Sequence, residues 1–129
     1  MSDANAYLVG ALTKDPELKF GNNGNAICKI SVAVNRKVKD KETTSYFDCT
    51  AFGSVAEHIA NSLKKGDRVV VQGTLTQDRW ESADGQKRSS ISVLVDAIGP
   101  DLRFADASPV KTNAQPRVAQ AALIDESPF

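Results

Sequence analysis

Histidine and cysteine are scarce in this chain, and no charge sign is in excess. The single histidine, His58, and the two cysteines, Cys28 and Cys49, do not make a ligand set with metal-site spacing. The expectation is a protein without metal or cofactor, its two thiols reduced and packed as small apolar groups. Basic and acidic residues balance at 16 each, which argues against a strongly basic nucleic-acid module whose pI exceeds ~9. No apolar run approaches the ~20 residues of a membrane span. Met1 to Asn5 has neither the basic nor the apolar region of a secretory signal. These absences point to a soluble cytoplasmic protein with no membrane partner.

What is present is a strand pattern. Tyr7 to Leu12 reads as a first strand, with Gly10 marking a bulge or a close backbone approach. Gly21 to Asn25 is a loop. A second strand runs from Ala26 to about Arg36, with Cys28, Ile30, Val32 and Val34 on one face and Lys29, Ser31 and Asn35 on the other. A charged hairpin region, Lys37 to Glu42, leads to a third strand from Ser45 to Phe52. One helix follows: Ser54 and Glu57 have the spacing of a capping box, and Val55, Ala56, Ile59, Ala60 and Leu63 share a face. Lys64 and Lys65 suit its negative end, with Gly66 as C-cap. The fourth strand, Arg68 to Trp80, places Val69, Val71, Gly73 and Leu75 inward; after a turn at Asp84-Gly85 the fifth places Ile91, Val93 and Val95 inward. An all-β, five-stranded Greek-key barrel of the OB type, with one helix between strands three and four, fits this order. A generic small mixed sheet is the structural alternative.

The same alternation sends three aromatics outward. Tyr46, Asp48, Thr50 and Phe52 oppose the core set Phe47, Cys49 and Ala51, and Trp80 opposes Val69 and Val71. Lys29, Arg36, Lys37, Lys39, Arg79, Lys87 and Arg88 lie on these strands and their hairpins. Exposed aromatics among cations suit a sequence-tolerant single-strand binder, because every base has a π-face and the cations track phosphates. Each residue has a plainer reading: Phe52 packed beneath the helix, Tyr46 at a subunit interface, Trp80 as a hairpin prop, the cations as solvated loops.

Beyond residue 104 the composition changes to Ala, Gln, Ser, Pro, Val and Asn without hydrophobic period. That makes 1–104 the expected folded domain and 105–129 a disordered tail, since such a segment buries too little apolar surface to offset its ordering entropy. The chain closes on Asp125, Glu126, Ser127, Pro128 and Phe129, an aromatic plug with acidic neighbours suited to a partner's basic pocket. A frayed end is the competing interpretation.

Four segments, in this order and spacing, resemble the bacterial and phage single-stranded DNA-binding protein family. They are Tyr7-Leu8-Val9-Gly10 with Asp15-Pro16-Glu17-Leu18; Tyr46 to Gly53; Leu63-Lys64-Lys65-Gly66-Asp67; and Arg79-Trp80 before Asp84-Gly85. The resemblance spans residues 5–104 and, separately, the terminus. It implies an OB fold, a homotetramer that wraps single-stranded DNA near the nucleoid, base stacking by Tyr46, Phe52 and Trp80, and docking of replication and repair proteins on Asp125, Glu126, Pro128 and Phe129. Two departures stand out. Val38 occupies the hairpin where the family often has another aromatic, and the tip has only two acids, with Ser127 before Pro128. An OB-type nuclease would need clustered carboxylates for a metal, and sequence places no second acid beside Asp48, so catalysis is not expected. The alternative is an OB protein-interaction module with incidental nucleic-acid binding, which the balanced charge favours.

Overall fold

Period-2 alternation along four long strands gives the sheet one apolar and one polar face, and the apolar face is curled inward. The computed structural model describes residues 3–112. In chain order the elements are β1 (Asn5–Leu12), β2 (Glu17–Phe20), β3 (Ala26–Val38), β4 (Lys41–Phe52), α1 (Ser54–Ser62), β5 (Arg68–Glu81) and β6 (Lys87–Pro100). The strands bond in the order β1-β5-β6-β4-β3-β2, and a further β1–β3 pairing closes five of them into a barrel. All pairs are antiparallel except β4–β6, where Cys49 lies opposite Val93. This is the expected OB-type Greek-key barrel, with the helix between its third and fourth strands.

The interior holds Leu8, Cys28, Ile30, Val32, Cys49, Ala51, Val69, Val71 and Val93, with Ala56, Ile59 and Leu63 supplied by the helix. Both cysteines are buried and free. Burial pushes the Cys49 thiol up to about 11, with nearby Asp48 adding to the effect, and it raises the Cys28 thiol as well. Gly10 marks a close approach, as its sequence context suggests. A Cβ there would collide with the Ala33 carbonyl, where β1 passes from β5 to β3. A second such contact joins Gly73 to the Leu94 carbonyl, beside a register shift at Gln72/Gly73.

Several local expectations are corrected. The barrel has a sixth, appended strand: β2 bonds to the first part of β3, from Glu17 opposite Lys29 to Phe20 opposite Ala26. β3 and β4 reach further into the charged hairpin than expected, since Lys37 pairs with Glu42 and Val38 with Lys41 across a tight turn. Ser54 and Glu57 form no capping box. Gly53, at φ 71, takes the cap position with no side-chain cap bond, and this leaves Ser54 inside the helix. Gly66 is not the C-cap either. The helix ends at Ser62 with Leu63 extended, so Lys64 and Lys65 lie in the turn beyond it. That turn is closed by the Lys64 N–H donating to Asp67 Oδ2 at 2.8 Å, with Gly66 at φ 92. Finally, Leu75 and Ile91 are not core: they are 37% and 58% exposed, because β5 and β6 run past the barrel as a two-stranded arm with no layer above it.

Candidate nucleic-acid interface

The outward residues of five strands form one continuous surface. One cross-strand row runs Ser31, Asp48, Ser92, Thr76, and the next runs Glu17, Lys29, Thr50, Leu94, Thr74. Tyr46 lies opposite Ala33, and Phe52 lies opposite Ile27, whose other neighbour is Lys19. Tyr46, Phe52 and Trp80 are 68%, 52% and 49% exposed. Phe52 is therefore not packed away beneath the helix. Instead it lines a hollow of ≈ 170 Å³ with Thr50, Thr76, Ser92 and Leu94, which joins β4 to β5 across β6. Trp80 lies further out on the arm, opposite Arg88, at a second hollow of ≈ 440 Å³ that also involves Gln77, Arg79, Glu81 and Lys87. At the ordinary rise of a strand, Tyr46 and Phe52 are about 20 Å apart along β4, and Trp80 is about 13 Å beyond Thr76 along β5.

Register divides the seven candidate cations. Lys29, Lys37 and Arg88 share the face of the aromatics, whereas Arg36, Arg79 and Lys87 alternate to the other side of the two arms. Lys39 sits at the tip of the β3–β4 hairpin in the left-handed region, at φ 58. Acids lie directly opposite three of these cations: Glu17 by Lys29, Glu42 by Lys37 and Glu81 by Lys87. Glu17 is bonded instead to Lys14 Nζ at 2.9 Å. That bond holds the Glu17 carboxyl below its usual range and raises the lysine. The cationic character of the surface is thus local, and Lys29 is left without an ion pair among the described residues.

One surface residue escaped sequence reasoning, and another set was placed but given no role. Lys19 was hidden because β2 was not recognised. The hydroxyl rows (Ser31, Thr50, Thr74, Thr76, Ser92) were legible from alternation but carry no distinctive chemistry; Thr76 and Ser92 bond each other at 3.0 Å. Val38 is 52% exposed and alternates away from Tyr46. The terminal candidates Asp125, Glu126, Pro128 and Phe129 lie outside the described residues.

Asp48 has Ser31 and Ser92 beside it, His58 is exposed on the helix, and no cluster of three potential metal ligands occurs among the described residues. Nor does any described helix have the length and apolarity to cross a membrane.

Comparison with known proteins identifies the family. A family model described as "Single-strand binding protein family" matches residues 4–101. A single-stranded DNA-binding protein of Mycobacterium bovis is 40% identical over 112 residues, covering 81% of this chain and 68% of that protein. Single-stranded DNA-binding protein 2 of Streptomyces coelicolor is 38% identical over 117 residues, covering 85% and 59%. The counterpart in Bifidobacterium longum is 36% identical over 107 residues, covering 78% and 49%. By the family model over residues 4–101 and relatives about 40% identical over most of its length, this chain belongs to the single-strand binding protein family.

Proposed function

We propose that this chain binds single-stranded DNA without strict sequence preference and protects it during replication, recombination and repair. The observation that carries this reading is the placement of Tyr46, Phe52 and Trp80, all exposed, on one continuous sheet surface. Bases stack on these rings at roughly 1–3 kcal/mol each. Lys29, Lys37 and Arg88 meet phosphates on the same face, while Arg36, Lys39, Arg79 and Lys87 meet the strand where it wraps around the arms. A folded binding domain of residues 1–104 and a tail of 105–129 divide the work, with Asp125, Glu126, Pro128 and Phe129 docking replication and repair proteins. The assembly is a homotetramer, working in the cytoplasm at the nucleoid, and the chain is not an enzyme.

Trp80 is the only tryptophan, so titration with oligothymidylate tests the reading directly. Emission should be strongly quenched, and the affinity should fall with salt at a slope of roughly −0.7 per phosphate neutralised. Unchanged emission at saturating oligonucleotide would remove Trp80 from the interface. Failure to bind at all would leave the protein-interaction module as the better account.

A further inference from the structure

A carboxylate stands in the middle of a surface meant for a polyanion. Asp48 is exposed on the outward face of β4, between Tyr46 and Thr50. Its cross-strand neighbours are the hydroxyl residues Ser31 and Ser92. It makes no ion pair among the described residues, where the only pairs are Lys14–Glu17 and Arg68–Asp101. Against phosphate such a group is unfavourable: Lys14 feels its charge but is bonded to Glu17, and the hydroxyls beside it cannot neutralise it. Against a base edge it is useful.

We infer that Asp48 biases the interface toward bases bearing an exocyclic amino group, with cytosine favoured over thymine. The inference rests on the single-strand binding proposed above. Tyr46 and Thr50 flank Asp48 on the same face of the same strand, and same-face neighbours along a strand are about 7 Å apart. A base lying flat on the Tyr46 ring therefore presents its edge to the next outward side chain, Asp48. In a single strand that edge is the unpaired Watson–Crick edge. The amino group of cytosine donates to a carboxylate. Thymine has a carbonyl oxygen where cytosine has that amino group, and this oxygen meets the carboxylate unfavourably. The cations Lys29, Lys37 and Arg88 lie in other rows of the sheet, leaving this row to the bases.

The test compares oligodeoxycytidylate with oligothymidylate of equal length, by fluorescence anisotropy at one salt concentration. The wild-type chain is measured beside Asp48→Ala and Asp48→Asn. Were Asp48 no more than a misplaced charge, its removal would tighten both oligonucleotides equally. Removing the acceptor as well should tighten oligothymidylate while oligodeoxycytidylate gains nothing. The expected result is a fall of about fivefold in the cytidylate-to-thymidylate affinity ratio for Asp48→Ala, the low end of what one polar base contact discriminates. Asp48→Asn, which keeps a neutral acceptor, should fall part of the way. If Asp48→Ala is poorly folded by its melting transition, the Asn variant decides by the same ratio. Equal gains on both oligonucleotides would overturn the inference and leave binding intact. If the wild-type chain binds neither oligonucleotide, it is the proposed function that fails.

Discussion

Trp80 and Cys49 show how differently one strand position is used on the two faces of the same sheet. Trp80 keeps half its surface in solvent, a cost in exposed apolar area that stacking on a base can offset. Trp80→Ala should weaken single-strand binding by roughly 1–3 kcal/mol, one stacking contact, with the melting temperature nearly unchanged; anisotropy and thermal melts check both halves. Cys49 is 1% exposed, and burial holds its thiol at about 11 against an ordinary 9.0. The neutral thiol is the form the core accepts. Its contribution is fully present below pH 9.0 and is lost as pH rises toward about 11, because the unfolded chain releases that proton first. Denaturant midpoints at pH 8 and 10.5 should therefore drop more steeply for the wild-type chain than for Cys49→Ala. The variant's cavity lowers stability at both pH values alike. Parallel slopes would show that the thiol ionises alike in both states.

Among the elements, the barrel closes only where backbone comes unusually near backbone. Gly10 faces the Ala33 carbonyl and Gly73 the Leu94 carbonyl, so no side chain fits at either crossing. Gly10→Ala and Gly73→Ala should each destabilise the fold by about 1–3 kcal/mol, the ordinary cost of overpacking, read as a lower urea midpoint. Gly10 was legible in the sequence because a glycine inside an alternating strand needs a reason. The five barrel strands were legible for the same cause: Cys28, Ile30 and Val32, or Val69 and Val71, alternate without interruption. The short β2 was not, since Glu17-Leu18-Lys19-Phe20 buries only part of Leu18 and carries little period. Leu75 and Ile91 fit the inward pattern, yet alternation reports the face of a strand and not where the barrel stops covering it. The Ser54–Glu57 spacing failed because Gly53 can adopt φ 71 and move the helix start by one residue. On the interface, the outward faces of Tyr46, Phe52 and Trp80 followed from parity. The division of the cations between two sides required the register of the paired strands.

At the scale of the whole molecule, the proposed binding surface gives way beyond Thr74 to an exposed apolar strip on β1 and β5. On the outer face of β1 and β5, Tyr7 is 74% exposed, Val9 40% and Val70 42%, with Val9 directly opposite Val70. The edge of β1 is also incompletely used. β3 takes only Ala11 and Leu12, so Asn5 to Gly10 have a strand partner on the β5 side alone. An apolar strip beside an open strand edge is self-complementary about a two-fold axis, as a closed homo-oligomer requires. This is the support for the proposed homotetramer. Tyr7→Glu combined with Val70→Lys should reduce the native mass below four chains at micromolar concentration. The far-ultraviolet spectrum should be retained, because both side chains point away from the core. Quenching of Trp80 by a short oligonucleotide should survive in the variant, while the length of DNA occluded per particle should shrink with the number of chains. A wild-type mass of one chain would overturn the assembly. An unchanged mass in the double variant would move the interface to another face, with the exposed Ile91 side of the β5–β6 arm as the next surface to substitute.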